Sequence, residues 1–162
     1  MSVKQLMMIS LSALAMACAP KEPVKYLALS FDDGPNLTTE SKMLDVLAKH
    51  DVPATFFFIG NNINEETAEN MKRALELGCE DWVDTVDKDT RREGIIANAE
   101  PGAIYLLHDF EGNEATVEAL DEAIPVLKEQ GYVFLTVAQL FEKLNCTPDG
   151  HTIYTVVPDK RN

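Results

Sequence analysis

Two stretches of the chain end on side chains that could do acid–base chemistry. Tyr26 to Pro35 reads YLALSFDDGP, an apolar run that stops at two adjacent carboxylates, Asp32 and Asp33, and a Gly-Pro turn. Ala103 to Asp109 reads AIYLLHD, a second apolar run that closes on an imidazole, His108, and another acid. Short apolar runs bounded by turn residues read as buried strands. In parallel α/β sheets ligands sit just beyond the carboxyl ends of the strands, which is where these groups stand. Carboxylates and an imidazole can activate water, hold a metal and protonate a leaving group. Asp-Gly and Gly-Pro are also ordinary turn dipeptides, so the first stretch alone is compatible with a plain turn. The second strand end favours a site.

SFDDGP and LLHD, with Asp81-Trp82 between them in the same order, resemble the polysaccharide deacetylases, the carbohydrate esterase group that shares a NodB-like homology domain. The resemblance covers Lys25 to about Leu144 and includes Pro101-Gly102 leading into the last motif strand. It implies a distorted, parallel-stranded β/α barrel and a divalent metal, zinc or similar, that assists removal of acetyl groups from glycans. It also implies roles: Asp32 as base on water, Asp33 as metal ligand, His108 as the acid that protonates the departing nitrogen, and Asp81 as the carboxylate that orients His108. Trp82 and Leu107 would line the pocket for the acetyl methyl. Core packing is the alternative for both.

Two family motifs have no counterpart. The family's His-x-x-x-His pair supplies two metal ligands, and its Arg-Pro-Pro-Tyr-like motif supplies an arginine and an oxyanion donor. The histidines here are His50, His108 and His151, and Gly78-Cys79-Glu80 passes straight to Asp81 where the metal pair is expected. The chain therefore reads as internally shortened. A catalytic zinc keeps three protein ligands and an open position, so with Asp33 alone metal binding is expected to be weak or absent. Asp81, Asp84 or Asp87 could supply oxygen replacements, a set that suits Mg or Ca better than Zn.

The elements that must position these groups alternate strand and helix, the pattern of a parallel sheet. After the first strand, Thr38 or Thr39 caps a helix to about Asp51, with His50 as a cation near its C-terminus. Ala54 to Gly60 is a second buried strand, and Asn64 caps a helix from Glu65 to Leu77. Thr90 to Ala99 is helical. Asn113 caps a longer helix to Gln130, in which Pro125 predicts a kink or a break. Tyr132 to Leu135 is the fourth strand, Thr136 to Gln139 is a capping box opening a helix to Leu144, and Thr152 to Val157 could add an edge strand. A crossover unit needs at least about 30 residues, more than Cys79 to Asp89 can hold. The strands flanking the gap should meet directly or present open edges that favour self-association.

Residues 1–17 carry one lysine, an apolar run and no acid, as a secretory signal does. Ala15-Met16-Ala17-Cys18 looks like a bacterial lipoprotein site, with Cys18 the lipidated residue; a plain signal cleaved nearby is the alternative. Residues 18–24 form a tether, 25–145 the deacetylase-like domain and 146–162 a C-terminal tail. The net charge of −13 makes nucleic acid and anionic membrane surfaces poor partners. Cys79 and Cys146 are expected to be free or buried thiols. Three functions fit the residues: an envelope-anchored deacetylase of acetylated glycans with impaired activity, an inactive relative that binds glycan, or an internally deleted product with no evolved function.

Overall fold

The computed structural model describes residues 23–70 and 87–161. Asp81, Trp82, Cys18 and Cys79, with most of the helix expected from Glu65, lie outside them. In chain order the elements are β1 (Lys25–Asp32), α1 (Thr39–His50), β2 (Thr55–Phe56), α2 (Lys88–Ala97), β3 (Ile104–His108), α3 (Glu114–Glu129), β4 (Tyr132–Leu135) and α4 (Val137–Lys143).

Every ladder of the four-stranded sheet is parallel, and β1 takes part in all of them. β3 runs along one edge of β1 from Ala28 to Asp32, while β4 pairs with its first half and β2 with Ser30 and Phe31. A strand flanked this way is covered on both faces and reads as a continuous apolar run, as β1 does. Its side chains alternate between two cores. Leu27, Leu29 and Phe31 face one cluster with Met43 and Leu47 of α1 and Leu120, Ile124 and Leu127 of α3. Tyr26 and Ala28 face a second with Leu140 and Phe141 of α4. Each such Leu or Phe contributes about 1.5–3 kcal/mol by leaving water.

Local structure departs from expectation at four places. The second strand is only two residues long, although Phe57 N–H donating to Phe31 C=O and Ile59 N–H donating to Gly34 C=O carry the chain on beside β1. Phe57 is 50% exposed, so the segment lacks the covered flank that its apolar text was written for. The cap of α1 comes from Asn36 and not from Thr38: Asn36 Oδ1 accepts from the Thr38 and Glu40 N–H groups. α3 continues unbroken through Pro125. Its buried face, with Ala119, Leu120, Ala123, Ile124 and Leu127 wholly covered, outweighs the one backbone bond that proline removes. Asn113 makes no cap bond to α3; its amide is used elsewhere, as described below.

The capping box is present: Thr136 accepts from Gln139 N–H, and Gln139 accepts from Thr136 N–H. The expected edge strand reduces to one antiparallel bridge between Ala103 and Val156. The C-terminal segment packs on the domain, with Cys146, a free buried thiol, and Val157 in the second core. Gly102 makes this possible. Its φ is +92°, and a Cβ there would stand 2.4 Å from Val157 O. Among the described residues β2 and β3 have no ladder with each other; β1 lies between them. Leu106 on β3 is 53% exposed.

Candidate active site

The ends of β1 and β3 lie side by side, because the ladder between them pairs Asp32 with His108. Asp109 N–H donates to Asp32 C=O and extends the register one residue further. Beyond Asp32 the backbone turns sharply: Asp33 takes φ +73°, a left-handed conformation that Asp tolerates better than most residues. An outlier of this kind at a strand end is typical of a site held in shape by its surroundings. The result is that Asp33 Oδ2 lies 2.7 Å from His108 Nδ1.

Gly34 is closely fitted where it stands. A Cβ would come within 3.0 Å of Asp109 Oδ2 and 3.2 Å of the Phe58 ring. Asn36 ties the turn together, donating from Nδ2 to Asp109 C=O and receiving Asn70 Nδ2 on its own carbonyl. The strand end of His108 is fixed from the other side. Asn113 Nδ2 donates to His108 C=O at 2.6 Å, and Asn113 Oδ1 accepts from Thr116 Oγ1, which in turn accepts from Arg91 Nη1 at 2.6 Å.

Electrostatics at the site are dominated by burial. Asp32 is held above the usual carboxylate range by burial and then by the charge of Asp33. Burial, with the nearby positive charge of Arg91, pushes the His108 imidazole down to about 4. At neutral pH the ring is therefore uncharged, and the contact with Asp33 is that of a neutral imidazole on a carboxylate. Asp109 is 0% exposed, and burial followed by the Glu40 and Asp33 charges raises it to about 8. Neither of its oxygens has a hydrogen-bond partner among the described residues. Glu40, equally buried on α1, receives the Asn36 N–H on Oε2.

A cavity of about 690 Å³ opens in front of Asp33. Leu37 follows the first turn into its wall, Ile59 and Asn62 come from the segment after β2, and Phe110 and Glu111 from the end of β3. Asn62 is oriented by its own bond, Nδ2 donating to Asp33 C=O at 2.9 Å. The Phe110 ring stands 6.2 Å from the His108 ring. Leu107, expected in the pocket, packs in the main core with Phe31 and Leu120 and does not line this cavity. The reason is the strand's alternation: with His108 turned to the site, its neighbour faces the helices.

The donor set can be tested against a metal. Among the described residues no three His, Cys, Asp or Glu side chains are grouped to hold an ion. Asp33 is engaged by His108, and Asp87 accepts the Asp89 and Thr90 N–H groups as the cap of α2. Asp81 and Asp84 lie outside the described residues. The described donors do not fit a three-ligand centre. His50 does not contribute, its Nε2 lying 2.6 Å from Asp121 at the far end of α1.

Of the residues singled out from sequence, the structure brings Asp32, Asp33 and His108 together. Sequence reasoning missed Glu40, Asp109, Asn36 and Asn113. Asp109 had a signal in its adjacency to His108; the other three belong to caps and helix faces whose involvement depends on which strand ends meet.

The family model described as polysaccharide deacetylase matches residues 19–90. A bifunctional xylanase/deacetylase of Pseudobutyrivibrio xylanivorans is 31% identical over 192 residues, covering 77% of this chain. The chain belongs to the polysaccharide deacetylase family. It is a shortened member: 77% of its 162 residues is about 125, so about a third of the span aligned with that relative has no counterpart here. A peptidoglycan N-acetylglucosamine deacetylase of Listeria monocytogenes is 28% identical over 74% of the chain. The chain spans 32% and 40% of these two curated relatives. Among solved structures, a family 4 acetyl xylan esterase from Clostridium thermocellum, in complex with a cobalt ion, superposes with a TM-score of 0.75 at 25% identity over 83% of this chain and 100% of that one. The CE4 domain of a multidomain xylanase from the Trinervitermes trinervoides hindgut metagenome gives 0.70 at 27% identity, over 83% and 98%. The parallel-stranded fold is thus that of the family, and it is incomplete among the described residues.

Proposed function

We propose that the chain is a polysaccharide deacetylase-like hydrolase of acetylated glycans whose hydrolytic activity is impaired. Hydrolysis of an acetamide requires water to lose a proton, its oxygen to bond the carbonyl carbon, the C–N bond to break and the nitrogen to leave with a proton. Asp32 is the base on water, and its raised pKa suits it to accept that proton. His108 is the proton donor to the leaving nitrogen, and by the family resemblance Asp81 would be the carboxylate that orients it. The observation that carries the impairment is the 2.7 Å contact of Asp33 with His108, which uses the family's metal carboxylate on the family's acid. An imidazole uncharged at neutral pH holds no second proton to give, and the donors described do not complete a metal centre.

The same contact supports a second reading, a catalytically inactive relative that retains glycan in the cavity beside Phe110. The xylan and peptidoglycan relatives support a substrate class of acetylated glycans, met outside the cytoplasm. An exported chain held at the envelope through Cys18, with the domain from residue 25 onward, agrees with that class. Acetate release from acetylxylan and from peptidoglycan, with and without added divalent metal, separates the readings. Slow, metal-stimulated release lost in Asp32→Asn supports the impaired hydrolase; saturable glycan affinity without release supports the binding protein; neither outcome overturns both.

A further inference from the structure

We infer that the cavity in front of Asp33 selects uncharged acetylated glycans over glycans that carry carboxylates, and that Glu111 is the residue that sets this selectivity. The inference rests on the glycan reading above and goes further, to the charge class of the substrate. Among the described residues that line the cavity, the ionisable ones are Asp33 and Glu111, and none is Lys, Arg or His. The remaining wall is apolar or amide, with the one hydroxyl residue Thr67. Leu37 and Ile59 are exposed into it, and Phe110 offers a ring face on which the C–H face of a neutral sugar can stack. The chain as a whole carries −13, so no long-range field offsets the local one. Glu111 is exposed, whereas Asp33 is partly buried in contact with His108.

At about 8 Å, one Debye length at physiological salt, two like charges repel a sugar carboxylate. In high dielectric that repulsion amounts to roughly a fivefold loss of affinity at low salt, largely screened once the Debye length falls below the separation. A neutral pyranose bears none of it.

The test uses the full chain and two oligosaccharides of equal length, one of uncharged N-acetylglucosamine units and one containing N-acetylmuramic acid with its lactyl carboxylate free, titrated calorimetrically at low and high salt. The expected result is tighter binding of the neutral probe by at least about fivefold at low salt, a gap that narrows at high salt, in Glu111→Gln, and closes further in Glu111→Lys. Glu111 is a surface residue, and unchanged melting of both variants shows that the fold is intact. Equal affinity for the two probes, or a gap that Glu111→Gln leaves unchanged, overturns the selectivity and leaves glycan binding standing. If neither probe binds, the glycan reading fails and this inference falls with it.

Discussion

Asp33 and His108, on different strands, meet through Oδ2 and Nδ1 at 2.7 Å. The contact exists because β3 pairs with β1 in the register that sets His108 opposite Asp32, and because the left-handed turn at Asp33 swings its carboxylate back toward that neighbour. It joins the two groups on which the family's chemistry would depend, and several measurable consequences come from it and from the buried acids behind it.

Zinc should bind weakly. Calorimetric titration is expected to give no stoichiometric site tighter than about 1 μM, near −8 kcal/mol. A tighter site that disappears in Asp33→Ala would mean that replacement ligands exist and that Asp33 leaves His108 to join them.

Stability should fall as pH rises from about 6.5 to 8. His108 is near 4 in the fold and 6.5 unfolded, so the unfolded chain holds more protons in that interval and stability there rises with pH. Asp109 is near 8 in the fold and 3.8 unfolded, so the native state holds more protons and stability falls with pH. The two oppose each other below 6.5; above it only Asp109 acts, for up to about 2 kcal/mol by pH 8. Denaturant midpoints across this range should show the decline in the parent chain and a flat profile in Asp109→Asn.

Gly102→Ala should destabilise the domain by about 1–3 kcal/mol, since it forces a side chain into a positive-φ position and onto the Val157 carbonyl at 2.4 Å. Gly150→Ala, with open space around its Cβ, is the control and should lie within about 0.5 kcal/mol of the parent. Equal effects would mean that the C-terminal segment does not hold Gly102 in solution.

The domain should melt low, bind a hydrophobic dye or self-associate. Phe57, just past β2, and Leu106 on β3 are half exposed in segments whose residues suit burial, and each 100 Å² of apolar surface left wet forgoes about 2.5 kcal/mol. Thermal unfolding followed at several protein concentrations, with light scattering, checks this. A concentration-independent transition above about 65 °C in a monomer would show that the exposed flank is closed in solution.

The sequence by itself determined the strand ends and the order of elements. β1 and β3 are apolar runs cut off by Asp32-Asp33-Gly34-Pro35 and by His108-Asp109, and a strand that stops on polar residues presents them at its end whatever surrounds it. The capping box at Thr136 and Gln139 was legible for the same local reason. What the chain could not declare locally was the partner of each group. β2 shrank to Thr55 and Phe56 because strand length depends on a neighbour to pair with, and the units expected beside it are missing from the chain. Leu107 went to the core and His108 to the Asp33 side because the pleat fixes alternate faces only once the register with β1 is set. Asn113 left its helix cap for His108 C=O because that carbonyl was brought within reach by tertiary packing. The raised Asp109 and lowered His108 likewise follow from burial, and burial is a property of the surrounding elements; an Asp next to a His in a linear sequence carries no record of how much water either will see.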